Sequence, residues 1–476
     1  MSKFIFELFM ISSLLVRAIR QLSPKDRLAF SDFVACPLFN RRPELLLLCR
    51  YLTTHADRPG PEKFSAESLF DAAYPGKAYD NSKLRHLMSY TLDAYRQFLA
   101  LQEWQSDPED AQRYLVSALR RRGLDKLFDK AVKKADTEAE KRPIRDARHH
   151  FRQYHIQQEK LEFKARHERS AKLNLQPLPD ELTAFYVSEM LRHGCSALMH
   201  QAVAGQTYQM ELLDAVISVV EKGSLIQSPA VAVYYHTYRM LQSPEDQDAF
   251  EQVKSLLVRH EKQFGQEEMR GLYLMVINGC IRRMNAGHKA FIREAFEVYR
   301  LALERGFLTE NGILSSFTYK NIIRIGAALG EHAWTEQFIE QQRAALHPRE
   351  RENTYLYNRA FLYFEKGDYA QAMPLLQQVD LDDPLNSLHA RRMLVRSYVE
   401  LDEFSALESV LQSFGSLLNR QKNLGYHRDL NLNFVRFTQR LLKLPPGDQA
   451  ARNSFLHDLQ KEKQVAEKEW LLEKLR

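Results

Sequence analysis

The sequence predicts an all-α protein, and three observations lead to that class. The 476 residues include 17 prolines and 18 glycines, whereas average usage would supply about 57 of the two together. So few turn-forming residues argue against β-sandwiches, β-barrels and glycine-dependent nucleotide-binding sheets. No run of alternating apolar and polar residues marks a strand. Apolar residues make up 45% of the chain and charged residues 27%, which is typical of a folded protein with a substantial core.

The first predicted helix lies in an apolar segment, FIFELFMISSLLV at residues 4–16. Glu7 interrupts this segment, Arg17 and Arg20 follow it, and no small-residue cleavage site is present. We therefore expect a buried helix rather than an export signal, and the segment is too short to span a bilayer. The cysteines lie far apart, without a disulfide or zinc pattern, which favours a reducing, cytoplasmic location. They are Cys36, Cys49, Cys195 and Cys280. Because the apolar segment is too short to span a bilayer, we also expect no membrane association.

Three later helices are predicted to begin where serine or aspartate precedes proline and an acid. The first residue can cap the helix, and proline suits its first turn. These predicted starts are Ser23-Pro24, Asp107-Pro108 and Ser243-Pro244. Each precedes apolar residues at three- and four-residue spacing, as in an amphipathic helix.

The predicted helix starts and the prolines divide the chain into four predicted segments. An N-terminal helical block (1–105) is followed by a basic helical connector (106–178), which closes on two prolines. Successive helix pairs occupy residues 180–444, and a final charged helix occupies residues 445–476.

The most specific pattern is NTYLYNRAFLYFEKGDYAQAMPLLQQVDLDDPLN, residues 353–386. It resembles one tetratricopeptide repeat, a 34-residue helix–turn–helix unit. Gly367 marks the turn and Pro384 the end, and small residues are needed at Ala360 and Ala372 because the paired helices approach most closely there. The packing positions of the two helices are Leu356, Ala360, Tyr363, Ala372, Leu376 and Val379.

Weaker copies of this pattern flank it. Tyr398, Phe404 and Leu411 repeat it thirty-five residues later, and residues 317–339 share its outline, with Gly330 near the turn. A single bundle of amphipathic helices is the alternative. The recurring period favours an α-solenoid of tetratricopeptide-like helix pairs.

The whole chain also resembles a family of helical proteins from Bacteroidetes-type bacteria. The resemblance rests on the repeat, on LSPKDRLAFSDFVACPLFN (22–40) and on SSFTYKNIIRIG (315–326). It implies a fold and a distribution, and it supplies no catalytic residues.

Sequence signatures of enzyme sites are missing from the chain. It contains no G-x-x-x-x-G-K-[ST], G-x-G-x-x-G, G-x-S-x-G or H-E-x-x-H motif. The spacing of His149, His150 and His155 does not place two metal ligands on one helix face. Cys195 lies between two histidines without a nucleophile signature, so we interpret it as a buried thiol. We expect no catalysis, no cofactor and no metal.

A binding surface follows from the repeat. In tetratricopeptide arrays the first helices of successive repeats line a concave groove, where cations attract a carboxylate and an asparagine amide holds a peptide backbone. The resemblance thus implies a non-catalytic scaffold or adaptor that binds a partner protein through an acidic or C-terminal peptide. A solvated polar face without a ligand is the alternative. The predicted peptide-binding residues are Lys320, Asn321, Arg324, Tyr357, Asn358, Arg392 and Arg396.

A second function, a DNA- or RNA-binding regulator using residues 65–172, follows from the charge. Residues 113–172 hold 18 lysines and arginines against 9 acids, and the rest of the chain carries a net charge of −3. Acids interleaved at helical spacing favour a solvated helix face over a nucleic-acid contact. Residues 65–103 resemble the helix pair of winged-helix DNA-binding domains, although residues 103–122 offer no β-hairpin for the wing. The predicted nucleic-acid contacts are Arg120, Arg121, Arg122, Lys133 and Lys134.

Overall fold

The predicted all-α class is confirmed. The computed structural model describes residues 13–57, 61–167, 173–380, 384–421, 424–445 and 447–475. These residues form 23 α-helices and one short β-hairpin. They divide into two compact units, one comprising the described residues of Met1–Arg142 and His149–Leu182, the other Pro143–Arg148 and the described residues of Thr183–Arg476. The part of the apolar segment before Ser13 lies outside the described residues.

The first unit is built from eight helices and the start of a ninth. They are α1 (Leu14–Gln21), α2 (Pro24–Ala35), α3 (Pro43–His55), α4 (Ala66–Ala73), α5 (Asn81–Ser106), α6 (Pro108–Arg121), α7 (Asp125–Lys141), α8 (Ala147–His167) and α9 (Pro177–Ala204), with a 3₁₀ turn at Pro61–Phe64.

Two of the predicted helix starts lie in this unit and are confirmed. The Ser23 hydroxyl accepts from the Asp26 amide at the start of α2, and the Asp107 carboxylate accepts from the Asp110 amide at the start of α6. The unit has two cores, one among α1–α5 and a smaller one among α6–α8, where Val116, Phe128 and Ile156 are buried. The basic segment therefore packs around apolar residues of its own.

The second unit continues from α9 to the end of the described chain. Its helices are α10 (Leu213–Lys222), α11 (Pro229–Gln242), α12 (Gln247–Arg259), α13 (Gln266–Asn285), α14 (Ala290–Glu304), α15 (Ser316–Ala328), α16 (His332–Gln342), α17 (Arg351–Glu365), α18 (Tyr369–Gln378), α19 (Pro384–Glu400), α20 (Phe404–Arg420), α21 (Tyr426–Leu442), α22 (Gln449–Lys461) and α23 (Lys468–Glu473). Three 3₁₀ turns lie at Leu225–Gln227, Glu261–Gln263 and Arg343–Ala345.

The helices of this unit pack as neighbouring pairs. α17 and α18 form one pair and α15 and α16 another, and the first helices of successive pairs touch, α15 with α17 and α17 with α19. The helix–turn–helix lies where the 353–386 pattern predicts it, with Gly367 at positive φ in the turn and Ala360 and Ala372 fully buried. Pro384 begins the next helix, as its missing N–H allows. These contacts are those expected of stacked helix pairs.

A short β-hairpin lies among the helices, although no alternating run in the sequence marks a strand. β1 (Thr309–Glu310) pairs antiparallel with β2 (Ile313–Leu314). Asn311 and Gly312 both have positive φ, as a two-residue type I′ turn requires. The Asn-Gly dipeptide was a hairpin signal in the sequence, but the strands are too short to show an alternating pattern.

The predicted helix start at Ser243-Pro244 is wrong by three residues. α12 begins at Gln247, and the Asp246 carboxylate caps it by accepting from the Ala249 amide. The reason is the fully buried Arg283, whose guanidinium donates to the backbone carbonyls of Pro244 and Asp246. In a helix that began at Pro244, these carbonyls would accept from helix amides, and the buried charge of Arg283 would lose their hydrogen bonds.

The single charged helix expected at residues 445–476 is also corrected. The described part of this segment forms two helices, α22 and α23, and Pro446 lies outside the described residues. Phe455, Trp470 and Leu471 are buried in a core shared with α19, α20 and α21. The described part of residues 447–475 is therefore packed against α19, α20 and α21.

Candidate peptide-binding cleft

Three helices, α15, α17 and α19, supply the predicted site residues. Lys320 and Arg324 are four residues apart on α15, and Arg392 and Arg396 are four apart on α19. Residues at this spacing share a helix face, so each pair points the same way. Because α17 touches both neighbours, side chains of the three helices meet on one surface.

A cleft of about 410 Å³ opens on this surface. Three of the seven predicted residues line it: Lys320, Tyr357 and Asn358. The cleft is also lined by Phe317, Arg349, Asn353 and Asn386, and by two acids, Glu350 and Asp380.

Hydrogen bonds between the helices set the shape of the cleft. The Lys320 ammonium on α15 donates to the Asn386 side-chain oxygen on α19, at 2.9 Å. The Tyr357 hydroxyl on α17 lies 2.9 Å from Nδ1 of His389 on α19. The polar groups of the cleft are thereby fixed before any ligand arrives, which lowers the entropy lost on binding.

Asn358 presents a buried amide below the cleft. The residue is 2% exposed, and its Nδ2 donates to the Thr354 carbonyl at 2.7 Å. Among the described residues its Oδ1 meets no hydrogen-bond donor. A buried acceptor without a donor costs about 1–3 kcal/mol.

Phe317 is the most exposed aromatic side chain of the cleft, at 78%. It was missed at the sequence level, although it precedes Lys320 by three residues and Arg324 by seven and so belongs to the same helix face. Exposed aromatic residues beside polar groups are frequent anchors in protein interfaces.

The two arginines of α19 already hold a carboxylate of this chain. Nε of Arg392 donates to Glu467 Oε1 at 3.0 Å, and Arg396 donates to Oε2 at 2.7 Å. Arg392 also donates to the side-chain oxygen of Asn431 at 3.0 Å. The guanidinium of Arg396 lies 4.6 Å from the ring centre of Phe364. No local pattern predicted Glu467, because it is 71 residues from Arg396.

His389 on α19 lies among four basic side chains. Burial, followed by the positive charges of the surrounding side chains, lowers the pKa of His389 to about 3. The imidazole is therefore neutral at physiological pH. The surrounding cations are Arg392, Arg324, Lys320 and Arg396.

Two predicted residues of α15 lie apart from the cleft lining. Asn321 interacts with the hydroxyl of the buried Tyr299 on α14 and so faces away from the cleft. The guanidinium of Arg324 lies 5.6 Å from the ring centre of Phe361 and continues the row of cations on α15.

The predicted nucleic-acid contacts separate into two groups. Arg120 is only partly exposed and pairs with Glu159 and Glu162 of α8, so it ties helices together. The side chains of Arg121, Arg122, Lys133 and Lys134 are exposed. Lys126 and Lys130 join Lys133 and Lys134 on one face of α7, which was not singled out from the sequence.

The remaining sequence candidates give no second site. Cys195 is fully buried, burial raises the pKa of its thiol, and Sγ lies 3.6 Å from the Tyr234 carbonyl, so its interpretation as a buried thiol is confirmed. Across the described residues no three His, Cys, Asp or Glu side chains converge as metal ligands would. Of the helices that the structure describes, none is both long and apolar enough to cross a bilayer.

Comparisons of the whole chain with protein-family models, with curated proteins and with solved structures found no match. The function of this chain is therefore inferred from the side chains of the cleft.

Proposed function

We propose that this chain is a non-catalytic, tetratricopeptide-like adaptor that binds an acidic segment of a partner protein along α15, α17 and α19. The observation that carries the proposal is the cleft, in which the exposed Phe317 lies beside Lys320, together with the cations around His389 that continue beyond the cleft lining to Arg396. A cytoplasmic location is part of the proposal, supported by four unpaired cysteines.

The geometry favours a short extended peptide. From Asn386 to Arg396 the face of α19 spans ten residues of helix, about 15 Å. An extended peptide of roughly four or five residues covers that length. Its apolar side chain would pack on Phe317 and its carboxylates would meet the cations, since charge-assisted hydrogen bonds are stronger than neutral ones.

A binding measurement with synthetic peptides tests the proposal. The probe is a fluorescein-labelled peptide of one leucine followed by five glutamates, and its control replaces the glutamates with glutamines. We expect the full-length chain to bind the acidic peptide more tightly, and we expect Phe317→Ala and Lys320→Glu each to weaken that binding about tenfold.

Matched variants separate the cleft from general effects of charge and exposure. Phe404→Ala removes another exposed phenylalanine at a helix start, and Lys289→Glu reverses another exposed lysine. Both should bind the acidic peptide as the unchanged chain does. Equal binding of the two peptides, or equal losses in the cleft and control variants, would contradict the proposal.

A nucleic-acid-binding role is the second candidate. It is favoured by the exposed face of α7, where Lys126, Lys130, Lys133 and Lys134 lie together. Such a row can neutralise successive phosphates. It is less favoured because Asp129 and Glu140 flank the row and residues 103–122, all described, are helical rather than a wing.

A further inference from the structure

Beyond the lining of the cleft, the two arginines of α19 are occupied by one glutamate, Glu467, from the segment 447–475. Arg392 and Arg396 donate to different oxygens of Glu467, at 3.0 and 2.7 Å. The side chains of the three residues are only 18%, 22% and 22% exposed. An acidic peptide lying along α19 would meet this internal carboxylate where its own carboxylate should bind.

The backbone at Glu467 has a conformation that is unfavourable for a residue with a side chain. Its φ of 54° and ψ of 34° lie in the left-handed helical region, which costs a residue with a side chain on the order of 1 kcal/mol and favours glycine. The preceding residue, Ala466, is fixed by its amide, which donates to the Leu430 carbonyl at 3.1 Å. A glutamate in a position suited to glycine is stabilised by what its side chain contacts, and the contacts are the two arginines.

The rest of the segment is held without Glu467. The indole N–H of Trp470 and the Lys474 ammonium each donate to Glu400 at 2.7 Å. Trp470 and Leu471 are buried in the core shared with α19. Releasing the carboxylate therefore requires only rotation of the Glu467 side chain, while α23 stays packed.

We propose that Glu467 is a built-in competitor that occupies the carboxylate site until a partner's acidic segment displaces it. This inference rests on the proposed function of the cleft. In the exchange the arginines trade one carboxylate for another, and the released Glu467 side chain becomes solvated. Because Glu467 is attached to the chain, its carboxylate competes for the arginines at a high effective concentration. A partner therefore needs several well-placed acids to displace it. The exchange thereby rejects weakly acidic segments.

Glu467→Gln tests the inference in the full-length chain. It removes the competing charge and keeps the side-chain size, so we expect the acidic peptide to bind about five- to tenfold more tightly. The glutamine peptide should bind as before. Glu462→Gln is the matched control, because Glu462 lies in the same segment, pairs with Arg436 at 3.3 Å and carries the same charge. It should leave binding unchanged.

Glu467→Gly covers the case in which the glutamine variant folds poorly. Glycine accepts the positive φ without strain, so this variant should stay folded and show the same gain. Unchanged or weaker binding in both Glu467 variants, or an equal gain in the Glu462 variant, would overturn the inference. If neither the unchanged chain nor the variants distinguish the acidic from the glutamine peptide, the proposed function itself is wrong.

Discussion

At the scale of single residues, a histidine that contacts the cleft residue Tyr357 remains neutral among cations. His389 is approached by the charges of four basic side chains, and its Nδ1 lies 2.9 Å from the Tyr357 hydroxyl. A protonated imidazole would add a like charge in a place that is shielded from water. Its folded-state pKa of about 3 lies below the ordinary value of 6.5.

The pH dependence of stability follows from this pKa. As the pH falls through 6.5, His389 binds a proton in the unfolded chain but not in the folded chain. The free energy of unfolding therefore decreases. The contribution of the neutral His389 to the free energy of unfolding is complete above pH 6.5 and falls as the pH drops towards 3. Between pH 7.5 and pH 5 we expect the unchanged chain to lose about 1–2 kcal/mol more than the variant His389→Gln.

Urea unfolding at the two pH values measures this difference. Glutamine is neutral at both, and its amide can still meet the Tyr357 hydroxyl. The same loss of stability in both proteins would show that His389 titrates normally.

At the scale of the elements, the close approach of α15 and α16 depends on Gly326. A methyl group at this position would collide with the Thr335 hydroxyl of α16 and press on the ring of Phe296, 3.4 Å away. Thr335 is buried, and its hydroxyl donates to the Glu331 carbonyl, so it cannot yield easily. Gly326 thus lets two helices pack closely at a position where most residues would separate them.

We therefore expect Gly326→Ala to lower the free energy of unfolding by about 1–3 kcal/mol through overpacking. Gly271→Ala is the control, because Gly271 lies within α13 and a methyl group there would meet no atom within 4 Å. Alanine favours helices over glycine by up to about 1 kcal/mol, so the control should be neutral or more stable. Urea titration of both variants checks this, and equal changes would refute the packing argument.

The elements also show which local signals were sufficient. Ser23 and Asp107 cap helices as predicted, because a cap is made within four residues of chain. The signal at Ser243 failed because Arg283, forty residues away, binds the carbonyls of that turn. The hairpin at 309–314 had its turn signal in Asn311-Gly312, but two-residue strands give no periodicity to detect.

At the scale of the whole molecule, positive charge is concentrated in one part of the chain. Residues 113–172 carry a net charge of +9 and the remainder −3. Many of these cations pair with acids of neighbouring helices, as Arg152 does with Asp107, Glu109 and Asp110. The exposed lysines of α7 form a basic helix face, on which Lys134 also pairs with Glu138 at 3.8 Å.

If nucleic acid binds this chain, we expect that face to carry the contact. Reversing Lys126, Lys130 and Lys133 to glutamate should then lower the affinity for a mixed-sequence DNA duplex or an RNA of equal length at least tenfold, and affinity should fall steeply with salt. Electrophoretic mobility shifts across a salt series measure both effects. The control reverses Lys222, Lys289 and Lys443, which are exposed elsewhere. An equal loss in the control, or no shift by the unchanged chain at low salt, contradicts this candidate.

The sequence by itself determined the all-α class, the helix–turn–helix at residues 353–386 and three cleft residues, Lys320, Tyr357 and Asn358. Each depends on spacings of three or four residues, or on a turn, which are local properties of the chain. Only the tertiary structure decided that Asn321 turns away to Tyr299 and that Glu467 occupies Arg392 and Arg396. Those contacts join residues 22 to 75 positions apart. They exist because helices pack to bury apolar faces, and no local pattern records which charged groups that packing brings together.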